Sequence, residues 1–145
     1  MEEAHKVYMG QMDVYDRLFD QHPDKFTHIT NRTQLESVLA SWNKPEITSP
    51  TGFITLMEGA EGVRSTSELE LWWQRGVRVI GPAWKATRFC GGTREPGPLT
   101  KEGRELLSAM AEMGFILDLS HMAWESAVQA LDIYEGQMIA THANA

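Results

Sequence analysis

Apolar residues at the start of the chain recur at helical spacing. Tyr8, Met12, Tyr15 and Phe19 are separated by four, three and four positions, which places them along one face of an amphipathic helix. Pro23 ends that helix. Residues 26–29 form a short apolar stretch, a weak strand candidate. Asn31 is placed to cap a second helix whose buried side would carry Leu35, Val38, Leu39 and Trp42, and Pro45 to Pro50 reads as a loop. Beyond residue 50 the rhythm sharpens. Phe53-Ile54-Thr55-Leu56-Met57 is a nearly continuous apolar run, as expected of a strand covered on both faces. A helix from about Ser67 to Arg75 follows, with Gly76 as its left-handed C-terminal cap. Val77 to Ile80 is the next strand. Gly81, Gly91, Gly92 and Gly97, with Pro82, Pro96 and Pro98, predict a long loop over residues 81–99. Thr100 then caps a helix to Met113, stopped by Gly114; Phe115 to Leu119 is a strand, Ala123 to Tyr134 a helix and Met138 to Thr141 a last strand.

Short apolar strands alternating with helices imply an α/β fold: a parallel sheet with right-handed crossovers and outer helices. About five strands are present, where a complete (β/α)₈ barrel takes eight strands and about 250 residues. The expectation is therefore a single domain over residues 1–145 that is a partial TIM-type barrel, an internal piece of a longer one.

Composition narrows the partners. Hydrophobic residues make up 42% and charged residues 23% of the 145, which is a globular balance. Thirteen basic and twenty acidic residues give a formal charge of −7, with the acids dispersed and no basic patch to neutralise phosphates. Nucleic acid is thereby a poor partner. Cys90 is the one cysteine, so neither an internal disulfide nor a thiolate zinc cage can form. The first twenty residues carry Glu2, Glu3, Asp13, Asp16 and Asp20 rather than the apolar core of a signal peptide, and no run reaches the roughly 18 apolar residues of a membrane span. A cytoplasmic protein with no membrane partner is expected.

In parallel α/β folds, chemistry collects at the C-terminal ends of the strands. Those ends hold Glu58, then Trp84 a few residues past its strand, then His121 and His142. One carboxylate and two imidazoles from three strands are a ligand set for a divalent metal, although a strand-end histidine is as readily a hydrogen-bonded polar residue. Asp118 reads as a hydrogen-bond or ion-pair partner, or as support behind the ligands. Arg88 lies in a glycine-rich stretch that is a plain connection or brings a planar fork to a substrate carboxylate. Cys90 lacks a local histidine to activate it as a nucleophile. At least one of Trp72 and Trp73 belongs to the core, and His5, His22 and His28 are expected in solvent.

Five segments share a resemblance. Leu56-Met57-Glu58-Gly59-Ala60, Gly76-Val77-Arg78, Leu99-Thr100-Lys101-Glu102-Gly103, the Asp118-Leu119-Ser120-His121 strand end and Ile139-Ala140-Thr141-His142-Ala143-Asn144-Ala145 together resemble the renal, or membrane, dipeptidases, in order and spacing. The likeness is close over residues 50–145 and loose before. It implies a zinc metallopeptidase of bacterial type in which Glu58 bridges two divalent ions, zinc by expectation, and His121 and His142 bind one of them. Two cations sharing a water acidify it and polarise the scissile carbonyl of a dipeptide or similar small amide.

The departures bear on substrate and turnover. The family's first-strand His-x-Asp pair is absent, and the late-strand aspartate that handles the proton falls outside this sequence. Trp84 stands where many relatives have a substrate-contacting histidine; it can neither take a proton nor bind metal, so it would pack against the substrate. A barrel remnant without turnover, and a hydrolase of lactones or cyclic amides, are the other readings. Open strand edges predict that the chain alone aggregates or pairs as a homo-oligomer, and that alone it is inactive.

Overall fold

The computed structural model describes residues 1–44 and 49–143. The first helix, α1 (Glu2–Gln21), carries Glu2 and Glu3 in its first turn, where the backbone N–H groups favour negative charge. Its apolar face packs as spaced, with Met12 buried and Tyr8 and Tyr15 half-buried against the core. A short strand β1 (Phe26–His28) follows, then α2 (Arg32–Trp42). Asn31 caps α2, its Oδ1 accepting from the Gln34 N–H at 3.0 Å. Only Val38 of the four expected apolar positions is fully buried; Leu39 and Trp42 point to solvent, because the narrow sheet beneath α2 has too little surface to cover them. The loop expected from Pro45 to Pro50 falls largely outside the described residues.

The apolar run at 53–57 is divided. Thr51–Phe53 is β2, paired in parallel with β1 in a two-stranded sheet, whereas Thr55–Glu58 is β3, in a different sheet. Ile54 is the hinge between them and is 47% exposed, so continuous apolar character here marks two strands, not one covered on both faces. A 3-10 turn (Thr66–Glu68) leads into α3 (Leu69–Gln74), and Gly76 beyond it adopts φ +89° as expected. A side chain at 76 would also collide with the His28 ring.

The main sheet has four parallel strands in sequence order: β3, β4 (Val77–Gly81), β7 (Ile116–Asp118) and β8 (Met138–Ile139). Between β4 and β7 lies an unexpected element. Residues expected to loop form an antiparallel hairpin of β5 (Cys90–Gly92) and β6 (Glu95–Leu99). A two-stranded ladder leaves each strand a free edge, which tolerates Pro96 and Pro98. Gly91 lies so near the Gly97 backbone that any Cβ there would clash, so the glycines are a packing requirement of the hairpin.

Helix α4 (Lys101–Met113) is capped by Thr100, whose Oγ1 accepts from the Gly103 N–H at 3.0 Å, and ends at Gly114 with φ +82°. It packs with α3 against β4 and β7, burying Leu69, Trp72, Leu106, Leu107 and Met110 over Ile80 and Leu117. Helix α5 (Trp124–Ile133) lies on the hairpin, tied to it by Ser126 Oγ donating to the Gly97 carbonyl at 2.6 Å and by Gln129 accepting from the Leu99 N–H. Trp72 is wholly buried; Trp73 is half-buried, edge-on to Phe115 with the Arg78 guanidinium over its face. Two of the histidines expected in solvent are instead structural. His5 packs on Trp72 and reaches the Gly62 carbonyl, and His28 stacks on Phe19 and bonds Thr55 Oγ1 at 2.9 Å. Among the described residues, no helix is long and apolar enough to cross a membrane.

Candidate metal centre

Parallel pairing in register brings the C-terminal strand ends to one rim, with Glu58 beside Gly81 and Asp118 beside Ile139. Glu58 stands at the end of β3, His121 three residues past β7 and His142 three residues past β8. Their side chains converge. His142 Nε2 is 2.8 Å from His121 Nε2 and 3.0 Å from Glu58 Oε1, and His121 Nε2 is 3.0 Å from that same oxygen. Two ring nitrogens and a carboxylate oxygen converge on one point, and these are donor types that a divalent cation takes. Donors about 2.0–2.1 Å from one tetrahedral zinc would stand roughly 3.3 Å apart, so a small opening of this triangle admits the ion. The donor set fits a divalent metal.

Each of the three candidate donors is held differently. The Glu58-Gly59 turn is fixed by Gly59, at φ +69°, whose N–H donates to the Gly81 carbonyl at 2.7 Å. From below, the Tyr8 hydroxyl of α1 lies 2.7 Å from the Glu58 carbonyl and 3.0 Å from that of Gly59. His121 has φ +64°, a backbone state that an imidazole-bearing residue adopts only at a cost. The hairpin maintains it: Met122 bridges Gly92, the Ala123 N–H donates to the Gly91 carbonyl, and Thr93 Oγ1 sits 2.9 Å from His121 Nδ1.

Behind His142 is a buried carboxylate. Asp118 Oδ1 accepts from the Ser120 and Thr141 N–H groups, and Oδ2 accepts the Thr141 hydroxyl at 2.6 Å. Burial pushes the Asp118 pKa up, but these hydrogen bonds outweigh it and hold the carboxyl below its ordinary value. Asp118 is therefore ionised and can only accept. Thr141 has one hydroxyl proton, committed to Asp118, so toward His142 Nδ1 at 2.7 Å it must accept. His142 thus donates from Nδ1 to Thr141, which leaves Nε2 as the ring nitrogen directed at Glu58 and His121. Of the roles open to Asp118, the structure shows the hydrogen-bond partner, reaching His142 through Thr141. None of Tyr8, Thr93 and Thr141 was given a part in the site from the sequence: Tyr8 was read only as part of the first helix's apolar face, and Thr141 left a trace as the hydroxyl residue next to a strand-end histidine.

Trp84 is 57% exposed and stands at the rim, its ring centroid 6.3 Å from that of His121. It divides two clefts: one of about 360 Å³ bordered by Tyr8, Glu58 and Glu61, the other of about 330 Å³ bordered by Lys85, Thr93, Arg94 and His121. Arg88 is not at either. Its guanidinium donates to the Val63 carbonyl and pairs with Glu102 at 3.1 Å, so the fork expected for a substrate is engaged within the fold. Cys90 is buried, its thiol pushed up to about 11 by that burial, which removes it as a nucleophile.

The model of the membrane dipeptidase family, peptidase family M19, matches residues 1–145. The chain belongs to that family. Among curated relatives of this family member, dipeptidase tcpJ of Claviceps purpurea is 25% identical over 93% of this chain and 32% of its own length. An uncharacterised protein encoded in the PQQ-III 3′ region of Acinetobacter calcoaceticus is 32% identical over 61% of this chain and 31% of its own. The chain thus spans about a third of the length of the curated relatives it matches. Among solved structures, a metallo peptidase from Rhodobacter sphaeroides, liganded with a phosphinate mimic of the dipeptide L-Ala-D-Ala, superposes with a TM-score of 0.86 at 24% identity, covering 99% of this chain and 42% of that one. The probable dipeptidase PvdM from Pseudomonas aeruginosa superposes at 0.80 with 17% identity, over 91% of this chain and 34% of that one. These likenesses establish the α/β fold with its parallel strands.

Proposed function

We propose that this chain carries the metal-holding rim of a metal-dependent dipeptidase, with Glu58, His121 and His142 as ligands and zinc as the favoured ion. The single observation behind this reading is the convergence of the three donors, which can be drawn within 4.8 Å of one another from three separate strand ends. Glu58 has a second carboxylate oxygen and so can bridge two ions. When bound, such ions supply Lewis acidity, acidifying a water and polarising an amide carbonyl. The chain's own residues do the rest: Asp118 and Thr141 hold the His142 ring by its Nδ1 and direct Nε2 to the rim, and Trp84 offers an apolar wall to a substrate side chain. The four-stranded sheet is read as an arc of a (β/α)₈ barrel, and hydrolysis as an activity of the longer protein. Family membership supports a hydrolase; a dipeptide is its substrate in this proposal.

The test pairs metal binding with turnover. The purified chain should bind zinc in a titration, and His142→Ala should weaken that binding by more than about 100-fold, beyond what loss of an outer support costs. A protein extended to the length of its relatives should hydrolyse a mixed dipeptide panel in a metal-dependent way, while this chain alone should not. Zinc binding that ignores His142→Ala would refute the ligand set. Hydrolysis of lactones but not dipeptides by the extended protein would replace the substrate.

A further inference from the structure

The three donors of the rim differ in what stands behind them. Each imidazole is met at its far nitrogen, His121 by Thr93 and His142 by Thr141. The Glu58 carboxylate has no such partner: among the described residues it meets only the two imidazoles, and Glu58 is exposed. A carboxylate on a flexible stem with nothing behind it is placed by its main chain. That main chain enters a turn in which the Gly59 and Ala60 N–H groups both donate to the Gly81 carbonyl.

The turn closes on a side chain from α1. Tyr8, 50 positions earlier, points its hydroxyl between two consecutive carbonyls, 2.7 Å from that of Glu58 and 3.0 Å from that of Gly59. The hydroxyl has one proton, which the two carbonyls share. Its ring is closely seated. It stands edge-on to Trp72 with centroids 6.4 Å apart, and any Cβ at Gly62 would approach it to 2.9 Å, so the loop after Glu58 wraps the ring. Earlier on α1, His5 Nδ1 lies 2.9 Å from the Gly62 carbonyl. Helix α1 thus grips both ends of the loop over residues 58–62, and Tyr8 grips the end that carries the donor.

We propose that Tyr8 is a positioning residue for the metal centre: by fixing the Glu58 and Gly59 carbonyls, it aims the unsupported Glu58 carboxylate at the point where His121 and His142 meet. The proposal rests on the reading of Glu58 as a metal ligand, and adds the residue that sets it.

Tyr8→Phe keeps the ring in its seat and removes the hydroxyl alone. Zinc affinity of the chain should fall about tenfold, the lower end of what loss of a ligand's support costs. Tyr15→Phe, on the same face of α1 but about two helical turns further on, should leave it unchanged. In metal-free protein, Tyr8→Phe should raise amide hydrogen exchange at Gly59 and Ala60 severalfold. The same change is then made in Glu58→Gln, which weakens the donor itself. There it should cost less than about twofold more, because the hydroxyl acts through the carboxylate. A hydroxyl that merely stabilises the fold would lower affinity equally in both backgrounds. That result, or wild-type affinity in Tyr8→Phe, would overturn the proposal. The ligand reading fails with a different signature: Glu58→Gln would bind zinc as tightly as wild type, with exchange at Gly59 and Ala60 still raised by Tyr8→Phe.

Discussion

The two imidazoles of the candidate centre meet at Nε2, yet the regions behind them are built on opposite plans. Behind His142, the ends of β7 and β8 enclose Asp118, which is 1% exposed and accepts three hydrogen bonds from Ser120 and Thr141. Behind His121, a hairpin reaches over from outside the sheet and offers one exposed hydroxyl, that of Thr93. The first support is charged, buried and multiply bonded; the second is neutral, solvated and aided by the hairpin's backbone contacts. A buried charged acceptor orders its donors because no water can take its place, whereas water competes freely for an exposed hydroxyl. The difference follows their surroundings: His142 is held from the ends of two main-sheet strands, while His121 lies on the wall of the cleft it shares with Trp84 and Thr93.

Of changes to the two supports, the larger effect should come from Asp118→Asn, a change of one charge with almost no change in shape. Asn Oδ1 can still accept from the two N–H groups, but the atom facing the Thr141 hydroxyl becomes an N–H donor. Thr141 must then turn its proton to His142 Nδ1, and the imidazole must carry its own proton on Nε2, at the metal-facing edge. Zinc affinity should fall by about 10- to 100-fold. Nitrogen chemical shifts of the metal-free ring would report the switch from the Nδ1–H to the Nε2–H form. An unchanged tautomer together with unchanged affinity would break the contrast between the two supports.

Acid sharpens the same contrast. The Asp118 carboxyl is held below its ordinary pKa of 3.8, so its contribution to stability is present above that value and lost as pH falls through the lower, folded one. In metal-free buffer, wild type should exceed Asp118→Asn in urea stability near neutral pH. The gap should close as the pH falls below about 4. A gap that is constant with pH would mean that the carboxylate's charge contributes nothing there.

What the sequence made legible follows the same division. Strand ends are local signals: an apolar run stops and a polar residue follows, so Glu58, His121 and His142 could be placed on one rim without coordinates. The hairpin could not. Gly91, Gly92 and Gly97 with Pro96 and Pro98 have the composition of a loop, and only the close approach of Gly91 to Gly97 explains why these residues form strands. The division of residues 51–58 into two strands was hidden for a related reason, since apolar character does not record which partner each half pairs with. Asp118 was visible as a polar residue in an apolar strand, but its partner Thr141 is 23 positions away, and the direction of a hydroxyl proton depends on both. His28 and His5 were misplaced because their partners, Phe19 with Thr55 and Trp72 with Gly62, are equally remote.

The smallest expected effect belongs to the hairpin support. Thr93→Val keeps the β-branched shape of the turn and removes only the oxygen 2.9 Å from His121 Nδ1. Water can replace that oxygen, because Thr93 is exposed, and the φ +64° of His121 is maintained by the Gly91 and Gly92 backbone contacts, which the change leaves alone. Zinc affinity should therefore drop by only about two- to threefold, the loss of one solvent-exposed hydrogen bond. The measurement is the zinc titration applied to Asp118→Asn, run side by side. A loss from Thr93→Val as large as that from Asp118→Asn would mean that the exposed hydroxyl sets its histidine as firmly as the buried carboxylate, and burial would no longer explain why the two regions differ.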